Sequence, residues 1–323
     1  MSELQGHVPG KLMLAGEYAV LRPPALALAV AVGRLVRWQA AHDGAGLVRL
    51  TAFGATTAAS WADAESAAGL IGFAGRAWSS AARAWPLAGT PAVAIDVAGS
   101  VAGQKIGLGN SAAVTVAVLR ARAGLAGATP DAATVAELAR DAHRRAQAGQ
   151  GSGYDVATVA HGGVVAFEPA TGAVERLAWP AGLSAVALFV GEPAATAEAL
   201  PRVQALQPWL AGIAKAALAL REAWVGEVAG ILTALAGCEA ALWAAEPVRV
   251  ALFSPAVEVA RAFLHGHGLV ARLSGAGGGD CVLGFGRSAS VERAAQAWQA
   301  RGGYVAARLP ADLAHDAEVN PHG

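Results

Sequence analysis

Three glycine-rich segments are the parts of this sequence best suited to bind a polyanion. They are Gly103–Ala121, which runs from GQKIGLGNS into an apolar helix pattern, Gly149–Gly153 (GQGSG) and Gly275–Gly279 (GAGGG). Backbone N–H groups in such loops, together with the start of a helix, bind anions with little help from side chains. Three such loops in one chain predict a large polyanionic ligand that is contacted from several sides.

The lysines of the chain indicate phosphoryl chemistry. The chain has only three, Lys11, Lys105 and Lys215, among 24 lysines and arginines. Lys11 and Lys105 each lie beside a glycine-containing segment, whereas Lys215 has the pattern of a helix-surface charge. A compact ammonium group on a flexible chain suits a phosphoryl group in transfer, and arginine is a poor substitute there. Chance explains one such lysine equally well, but it is the weaker explanation for two of three.

Length and composition narrow the class of protein. A chain of 323 residues is long enough for about two domains. Its net charge of zero argues against a nucleic-acid or anionic-membrane partner. The longest uncharged stretch, 177–191, is too short and too interrupted to span a bilayer, and the N-terminus lacks the features of a signal peptide. Two cysteines make no disulfide framework, and we expect a cytoplasmic protein. The expected assembly is a monomer or a homodimer.

Hydrophobic periodicity predicts an α+β fold with a domain boundary near Pro180. The first part, 1–179, is predicted to contain strands at Leu26–Val36 and Val93–Val97 and helices at Ala62–Trp85, Ser111–Ala123 and Asp131–Gln147, with Asp131 as a helix cap. In the second part, 180–323, strands and helices alternate in a βααβαββαβ-like order. That order includes strands at Val248–Phe253, Val270–Leu273 and Cys281–Gly286, and the tail from about His315 is predicted to be frayed.

Gly107–Ala112 also matches the dinucleotide fingerprint G-x-G-x-x-[GA], with Asp131 about 20 residues further on. In a Rossmann fold that acidic residue ends the next strand, whereas Asp131 is predicted to begin a helix. The dinucleotide interpretation is therefore weak. The P-loop motif G-x-x-x-x-G-K-[ST] is absent from the sequence, which excludes a P-loop nucleotide site.

Three segments of the chain, in this order, resemble the signature segments of the GHMP small-molecule kinases. They are VPGKLMLAGEYAVL, IGLGNSAAVTVAV and LSGAGGGDCVLGF, and the resemblance extends from Pro9 to about Phe285. Within that superfamily, Lys11–Tyr18, Lys105 just before Gly-Leu-Gly, and His143–Ala157 are similar to the phosphomevalonate kinases.

The resemblance implies a two-domain α+β fold. Residues 1–179 would form the ribosomal-protein-like nucleotide-binding domain, and residues 180–323 a ferredoxin-like α/β sandwich. It also implies ATP- and Mg²⁺-dependent phosphorylation of mevalonate 5-phosphate to mevalonate 5-diphosphate, in isoprenoid precursor synthesis. The partners would be ATP and a phosphorylated small molecule, with no nucleic acid and no membrane.

The same resemblance implies roles for individual residues. The catalytic residues would be Lys11 and Asp155. The ATP-binding residues would be Lys105, Gly107, Leu108, Gly109, Asn110, Ser111 and Ala112, with Ser111 as the Mg²⁺ ligand. The acceptor would be bound by Glu17, Tyr18, His143, Ser152, Gly153, Thr196, Ser274, Gly275, Ala276, Gly277, Gly278 and Asp280.

The sequence departs from the family pattern at three places. Asn110 stands where the family usually has a serine, Arg272-Leu273 replaces a Lys-Pro-like pair, and Glu192-Pro193 puts a negative charge near Thr196. The acceptor therefore stays open. The alternatives are an alcohol such as mevalonate and a non-catalytic binding protein of the same fold, and a related decarboxylase fits less well. The presence of Lys11, Lys105, Ser111 and Asp155 together favours an enzyme.

Overall fold

The computed structural model describes residues 3–22, 24–42, 45–191, 207–244, 249, 252–275, 280–314 and 318–320. Within them, helices pack on a larger and a smaller β-sheet, which confirms the predicted α+β fold. All but one strand of the larger sheet lie within residues 4–177, and the smaller sheet is formed by strands within residues 184–309. The domain boundary near Pro180 stays a prediction.

The larger sheet contains eight strands within the described ranges. They are β1 (Leu4–Ala15), β2 (Ala27–Ala41), β3 (Leu47–Ala52), β4 (Ala55–Ser60), β5 (Ala92–Val97), β8 (Val164–Phe167), β9 (Val174–Leu177) and β14 (Glu318–Asn320). A separate hairpin consists of β6 (Ser100–Val101) and β7 (Gln104–Lys105). The order of the main path is β14-β1-β2-β5-β3-β4, while β8 pairs with β2, and β9 with β8.

Strand β2 is central to the larger sheet. Both of its faces are buried along 27–32. A short continuous run of alanine, valine and leucine is typical of such a buried strand. On the side away from β1, its second half (Val36–Ala41) pairs with β5 and its first half (Ala27–Val30) pairs with β8. One long strand thus connects β1, which carries Lys11, to most of the sheet.

Helices cover one another and the larger sheet. They are α1 (Trp61–Ser66), α2 (Gly69–Ser80), α3 (Asn110–Leu125), α4 (Ala132–Ala146) and α5 (Tyr154–His161). Helix α3 is buried on nearly all sides because it packs against β1, β2, α2, α4 and α5. Its alanine and valine side chains are apolar all round, as a central helix requires. The predicted cap of α4 is confirmed, since the Asp131 carboxylate accepts the Thr134 N–H at 2.8 Å.

The second part of the chain forms a four-stranded antiparallel sheet. Its strands are β10 (Ser184–Phe189), β11 (Val270–Leu273), β12 (Cys281–Gly286) and β13 (Tyr304–Leu309), in the order β11-β12-β10-β13. Among the described residues, this part also contains helices α6 (Gln207–Ala223), α7 (Val228–Trp243), α8 (Pro255–Gly266) and α9 (Ser288–Ala300). The predicted strands Val270–Leu273 and Cys281–Gly286 are confirmed.

The predicted single helix Ala62–Trp85 is wrong, because the chain turns between α1 and α2. The two helices pack closely where Gly75 faces α1: a Cβ on Gly75 would lie 2.2 Å from the backbone nitrogen of Glu65. Trp61 and Trp78 stack with their ring centroids 4.0 Å apart. An uninterrupted helix would give up both contacts, so tertiary packing overrides the local helical pattern.

Two predictions in the second part are also wrong. The predicted strand Val248–Phe253 is helical at its described residues Arg249 and Leu252, and the Phe253 N–H donates to the Arg249 carbonyl at 2.8 Å. The predicted frayed tail contains β14, which pairs antiparallel with residues 5–7 of β1. This pairing returns the end of the chain to the larger sheet, and a three-residue strand has too short a pattern to be predicted.

No helix in the described part of the chain combines the length and the apolar character needed to cross a bilayer.

We expect neither cysteine to react with the thiol reagent DTNB in the folded protein. Cys238 and Cys281 are both free and buried. Burial raises the pKa of the Cys238 thiol to about 11 and also raises the pKa of Cys281. At about pH 8, roughly one Cys238 thiol in a thousand is therefore ionised. DTNB titration should find two thiols only after denaturation, and fast labelling of the native protein would contradict this burial.

Candidate active site

The glycine loop, Gly107–Ser111, ends in the first turn of α3. Gly107 and Gly109 both have a φ of +82°, in the left-handed region that favours glycine, and Gly109 directly precedes the helix. The first N–H groups of a helix have no partner within it, and the helix dipole places partial positive charge there. The loop thus presents backbone donors and a helix N-terminus together, an arrangement that suits a phosphate group.

Lys11 lies against the glycine loop. Its backbone N–H donates to the Leu108 carbonyl at 2.8 Å. A Cβ on Gly109 would lie 2.9 Å from the Cγ and Cε atoms of Lys11. Strand β1 therefore brings this lysine to the N-terminus of α3, and glycine at position 109 leaves room for the lysine side chain.

Residues on either side of the third glycine-rich segment contact the first part of the chain. A Cβ on Gly107 would lie 2.3 Å from the side-chain carbons of Asp280, so the two residues are in close contact. The Cys281 thiol donates to the Ile106 carbonyl at 3.3 Å. At the other end of the segment, Ser274 Oγ accepts the N–H of Met13 at 2.9 Å. The structure thus brings together the three signature-like segments of the sequence, VPGKLMLAGEYAVL, IGLGNSAAVTVAV and the described ends of LSGAGGGDCVLGF.

The N-terminus of α5 supplies Tyr154 and Asp155. Gly153, with a φ of +90°, precedes the helix, and Asp155 lies in its first turn, where the helix dipole favours a carboxylate. Asp155 Oδ1 accepts the Val156 N–H at 2.9 Å. Lys11 Nζ lies 5.4 Å from the centroid of the Tyr154 ring. Sequence reasoning did not assign Tyr154 to the site, and its only sequence signal is its place in the GSGYD segment.

The charges around Lys11 keep its side chain protonated. Burial by itself lowers the pKa of Lys11, but hydrogen-bonded Tyr154 and the carboxylates of Asp155 and Asp280 more than offset this, so its pKa is raised. A raised pKa leaves the ammonium group charged throughout the neutral range. Burial also raises the pKa of the Tyr154 hydroxyl, which stays neutral there. The site therefore holds a fixed positive charge beside the glycine loop.

His143 joins the glycine loop to α5. Its Nε2 atom lies 3.2 Å from Ser111 Oγ and 3.5 Å from Asp155 Oδ2. The residue is only 2% exposed, and its ring centroid lies 4.8 Å from that of Phe73. The structure thus places the buried His143 in contact with two other predicted site residues, Ser111 and Asp155.

Glu17 forms a buried ion pair with Arg272 of β11. Both side chains are almost completely buried, and Arg272 Nη2 donates to Glu17 Oε1. Burial lowers the pKa of Arg272, but Glu17 above all outweighs that effect, so the pKa is raised and the guanidinium stays charged. Its Nε and Nη1 atoms have no hydrogen-bond partner among the described residues. Sequence reasoning noted Arg272 only as a departure from the family, although an arginine inside the apolar strand VARL signals a buried partner.

The other predicted site residues lie around this centre. Lys105 is exposed on the β6–β7 hairpin, and Ser152 Oγ accepts the Tyr154 N–H at 3.5 Å. Asn110 is buried, and neither atom of its amide has a hydrogen-bond partner in the described part of the chain. Tyr18 is buried with its ring centroid 6.1 Å from that of Trp209. Thr196, Ala276, Gly277 and Gly278 lie outside the described residues.

A surface cavity of about 840 Å³ lies elsewhere, between α4, α5 and the β8–β9 turn. Of the predicted site residues only Gly153 lines it, and neither Lys11 nor Asp155 does. We therefore place the candidate active site where the three motifs meet and not in this cavity.

The oxygen donors of the candidate site suit a metal ion that is bound together with a phosphate ligand. In the described part of the chain, no group of three or more histidine, cysteine and acidic side chains is arranged to hold a metal ion by itself. Mg²⁺ in nucleotide sites takes one or two protein oxygens and completes its shell with phosphates and water. Ser111 Oγ and the Asp155 carboxylate, which both contact His143, fit that limited role.

Comparison with protein families decides the membership of the chain. The model of the GHMP kinase N-terminal domain matches residues 73–163, and that of the GHMP kinase C-terminal domain matches residues 194–303. The chain belongs to the GHMP kinase family. Members of this family are phosphotransferases that use ATP.

Solved structures support the same fold. Phosphomevalonate kinase of Streptococcus pneumoniae, solved with phosphomevalonate and AMPPNP, is 20% identical with a TM-score of 0.79, covering 95% of this chain and 99% of that one. Methanococcus jannaschii mevalonate kinase is 16% identical with a TM-score of 0.75, covering 95% and 97%. Lactococcus lactis galactokinase, solved with galactose, is 16% identical with a TM-score of 0.74, covering 98% and 95%. A search of curated protein sequences gives no significant match.

Proposed function

We propose that this GHMP kinase is a phosphomevalonate kinase. It transfers the γ-phosphoryl group of ATP to mevalonate 5-phosphate, giving ADP and mevalonate 5-diphosphate for isoprenoid precursor synthesis. The observation that carries the proposal is the placement of Lys11 against the glycine loop and beside Tyr154 and Asp155. The similarity to the Streptococcus pneumoniae enzyme, whose structure holds phosphomevalonate, supports the choice of acceptor.

The glycine loop binds the phosphates of ATP in this proposal. Backbone N–H groups of Gly107–Ser111 and the N-terminus of α3 donate to phosphate oxygens. Lys105, on the exposed hairpin that leads into the loop, holds a second phosphate. Ser111 would hold Mg²⁺ through its hydroxyl, and the ion would supply positive charge that offsets the phosphate charge.

Lys11 stabilises the charge that develops during transfer. An oxygen of the acceptor phosphate attacks the γ-phosphorus, and the bond from that phosphorus to the β,γ-bridging oxygen breaks as ADP leaves. Negative charge spreads over the transferred oxygens, so catalysis depends mainly on positioning and on positive charge. The Lys11 ammonium is held charged and enclosed, and such a group needs little reorganisation when the reaction occurs.

Asp155 has an orienting role if the acceptor is a phosphate. The second pKa of a phosphate monoester is about 6, so the nucleophilic oxygen is already ionised at neutral pH and needs no general base. The Asp155 carboxylate then helps to keep Lys11 charged and directs the acceptor. We place the acceptor beside Tyr18, Ser152, Gly153, Ser274, Gly275 and Asp280, and we assign the buried Glu17 and His143 to the support of that pocket.

A second candidate acceptor is an alcohol such as mevalonate. The Asp155 side chain is 19% exposed and lies near Lys11, so a carboxylate is accessible beside the proposed reacting centre. A hydroxyl nucleophile must lose a proton during the reaction, and the carboxylate would accept it.

An ADP-release assay with Mg-ATP tests the proposal by comparing mevalonate 5-phosphate, mevalonate and no acceptor. We expect rapid ADP release only with mevalonate 5-phosphate, which also supports the orienting role of Asp155. Turnover with mevalonate alone would replace the proposal by the alcohol kinase and make Asp155 the base. ADP release with neither compound, in a protein that Mg-ATP still stabilises thermally, would contradict the proposed acceptor and favour the non-catalytic alternative.

A further inference from the structure

The imidazole of His143 presents one nitrogen to two oxygen atoms from different helices. Ser111 Oγ, in the first turn of α3, lies 3.2 Å from Nε2, and Asp155 Oδ2, in the first turn of α5, lies 3.5 Å from it. His143 itself belongs to α4. One side chain thus links the three helices whose ends or faces form the site.

The two neighbouring oxygen atoms indicate whether Nε2 of His143 carries a hydrogen. An ionised carboxylate only accepts hydrogen bonds, whereas a hydroxyl can accept or donate. A bare Nε2 would face the Asp155 carboxylate lone pair to lone pair, and we therefore assign the hydrogen of the imidazole to Nε2. Ser111 Oγ can share that hydrogen and still keeps a lone pair for a cation.

We infer that His143 is a positioning residue that fixes the Ser111 hydroxyl and the Asp155 carboxylate relative to each other. The inference deepens the proposed function, because it concerns the nucleotide–metal site and the reacting centre of the same enzyme. It makes His143 a link between nucleotide binding and phosphoryl transfer and not a residue that touches the acceptor.

Burial and packing hold the imidazole in this orientation. His143 is 2% exposed, and Phe73 of α2 packs on its ring with the centroids 4.8 Å apart. An enclosed ring between packed helices has little freedom to rotate. Without the Nε2 hydrogen, Asp155 still accepts the Val156 N–H, and the Ser111 side chain loses its contact with α4.

Three variants separate positioning from packing. His143→Phe keeps a ring of similar shape but removes the donor, and His143→Gln keeps an N–H donor near the position of Nε2. Phe73→Leu is the matched packing control, because it disturbs the contact with His143 but leaves the donor in place. Thermal melting shows whether each variant is folded.

Calorimetric titration with AMPPNP at a series of Mg²⁺ concentrations gives a readout that needs no acceptor. We expect His143→Phe to raise the Mg²⁺ concentration required for half-maximal nucleotide binding by about 10- to 100-fold, the usual effect of removing a residue that orients a metal ligand. His143→Gln should recover most of that affinity, and Phe73→Leu should leave the Mg²⁺ requirement unchanged. With an acceptor that the enzyme phosphorylates, His143→Phe should also lower kcat more than it changes the KM for that acceptor.

The results distinguish this inference from the proposed function. A Mg²⁺ requirement that is the same in wild type, His143→Phe and His143→Gln would overturn the positioning role, even if the protein is a phosphomevalonate kinase. An equal loss in His143→Phe and Phe73→Leu would show a packing role instead. A donor-dependent Mg²⁺ requirement in a protein that does not phosphorylate mevalonate 5-phosphate would support His143 and contradict only the acceptor.

Discussion

Replacement of Lys11 by alanine should lower kcat by about 1000-fold while Mg-ATP still binds. The lysine is enclosed by the glycine loop, Tyr154 and Asp155, and its raised pKa keeps it charged at neutral pH. Its charge is most valuable when negative charge spreads over the transferred phosphoryl oxygens. The binding of ground-state ATP depends more on the backbone donors of Gly107–Ser111, which this substitution leaves in place. Steady-state kinetics and calorimetric titration with AMPPNP measure the two effects separately.

The chain offers a matched control for this substitution. Lys215 is exposed on α6, far from the glycine loop in sequence, and Lys215→Ala should leave both kcat and nucleotide binding unchanged. Lys11→Arg should be nearly as inactive as Lys11→Ala, because a broader guanidinium does not fit beside Gly109, where the lysine chain already excludes a Cβ. Turnover by folded Lys11→Ala near the wild-type rate would show that Lys11 does not stabilise the transition state.

The glycine motifs could be predicted from sequence because their requirement is local. Gly107, Gly109 and Gly153 all have a positive φ, and the helix that follows each loop begins within a few residues. The cap at Asp131 is equally local. A local pattern is readable because the residues that satisfy it are neighbours in the chain.

Contacts between distant segments could not be predicted in this way. Glu17 and Arg272 are 255 positions apart, and no periodicity relates them. The break between α1 and α2 depends on the close approach of Gly75 to Glu65, and β14 exists because it completes an edge beside β1. In each case a tertiary contact decides the local structure, so the surrounding sequence carries little signal.

Loss of either partner of the Glu17–Arg272 pair should destabilise the protein strongly. We expect Glu17→Gln and Arg272→Met each to lower the free energy of unfolding by about 3 to 5 kcal/mol, because each leaves an uncompensated buried charge or its unpaired hydrogen-bonding groups. Both side chains are almost completely buried, and the bond connects the segment after β1 to β11. Urea denaturation measures the change. The double variant should lose less than the sum of the two single variants, since it removes the pair together.

An exposed pair of the same residue types provides the control. Arg221 Nη2 lies 2.7 Å from Glu175 Oε2, and somewhat less than half of each side chain is exposed to solvent. Arg221→Met should therefore cost less than about 1 kcal/mol, because water screens the pair and solvates the remaining carboxylate. Equal destabilisation by Arg272→Met and Arg221→Met would contradict the claim that burial sets the cost.

The same variants test whether the pair also aligns the active site. Glu17 follows β1, which carries Lys11 and donates through Met13 to Ser274, and Arg272 lies two residues before Ser274. The ion pair and the Met13–Ser274 hydrogen bond thus hold the first and third motifs together. Below its unfolding transition, Glu17→Gln should lower kcat while Arg221→Met does not. Only the former weakens the attachment of the strand that carries Lys11 to the segment around Ser274. Full activity of folded Glu17→Gln would limit the pair to stability, since the motifs would then be aligned without it.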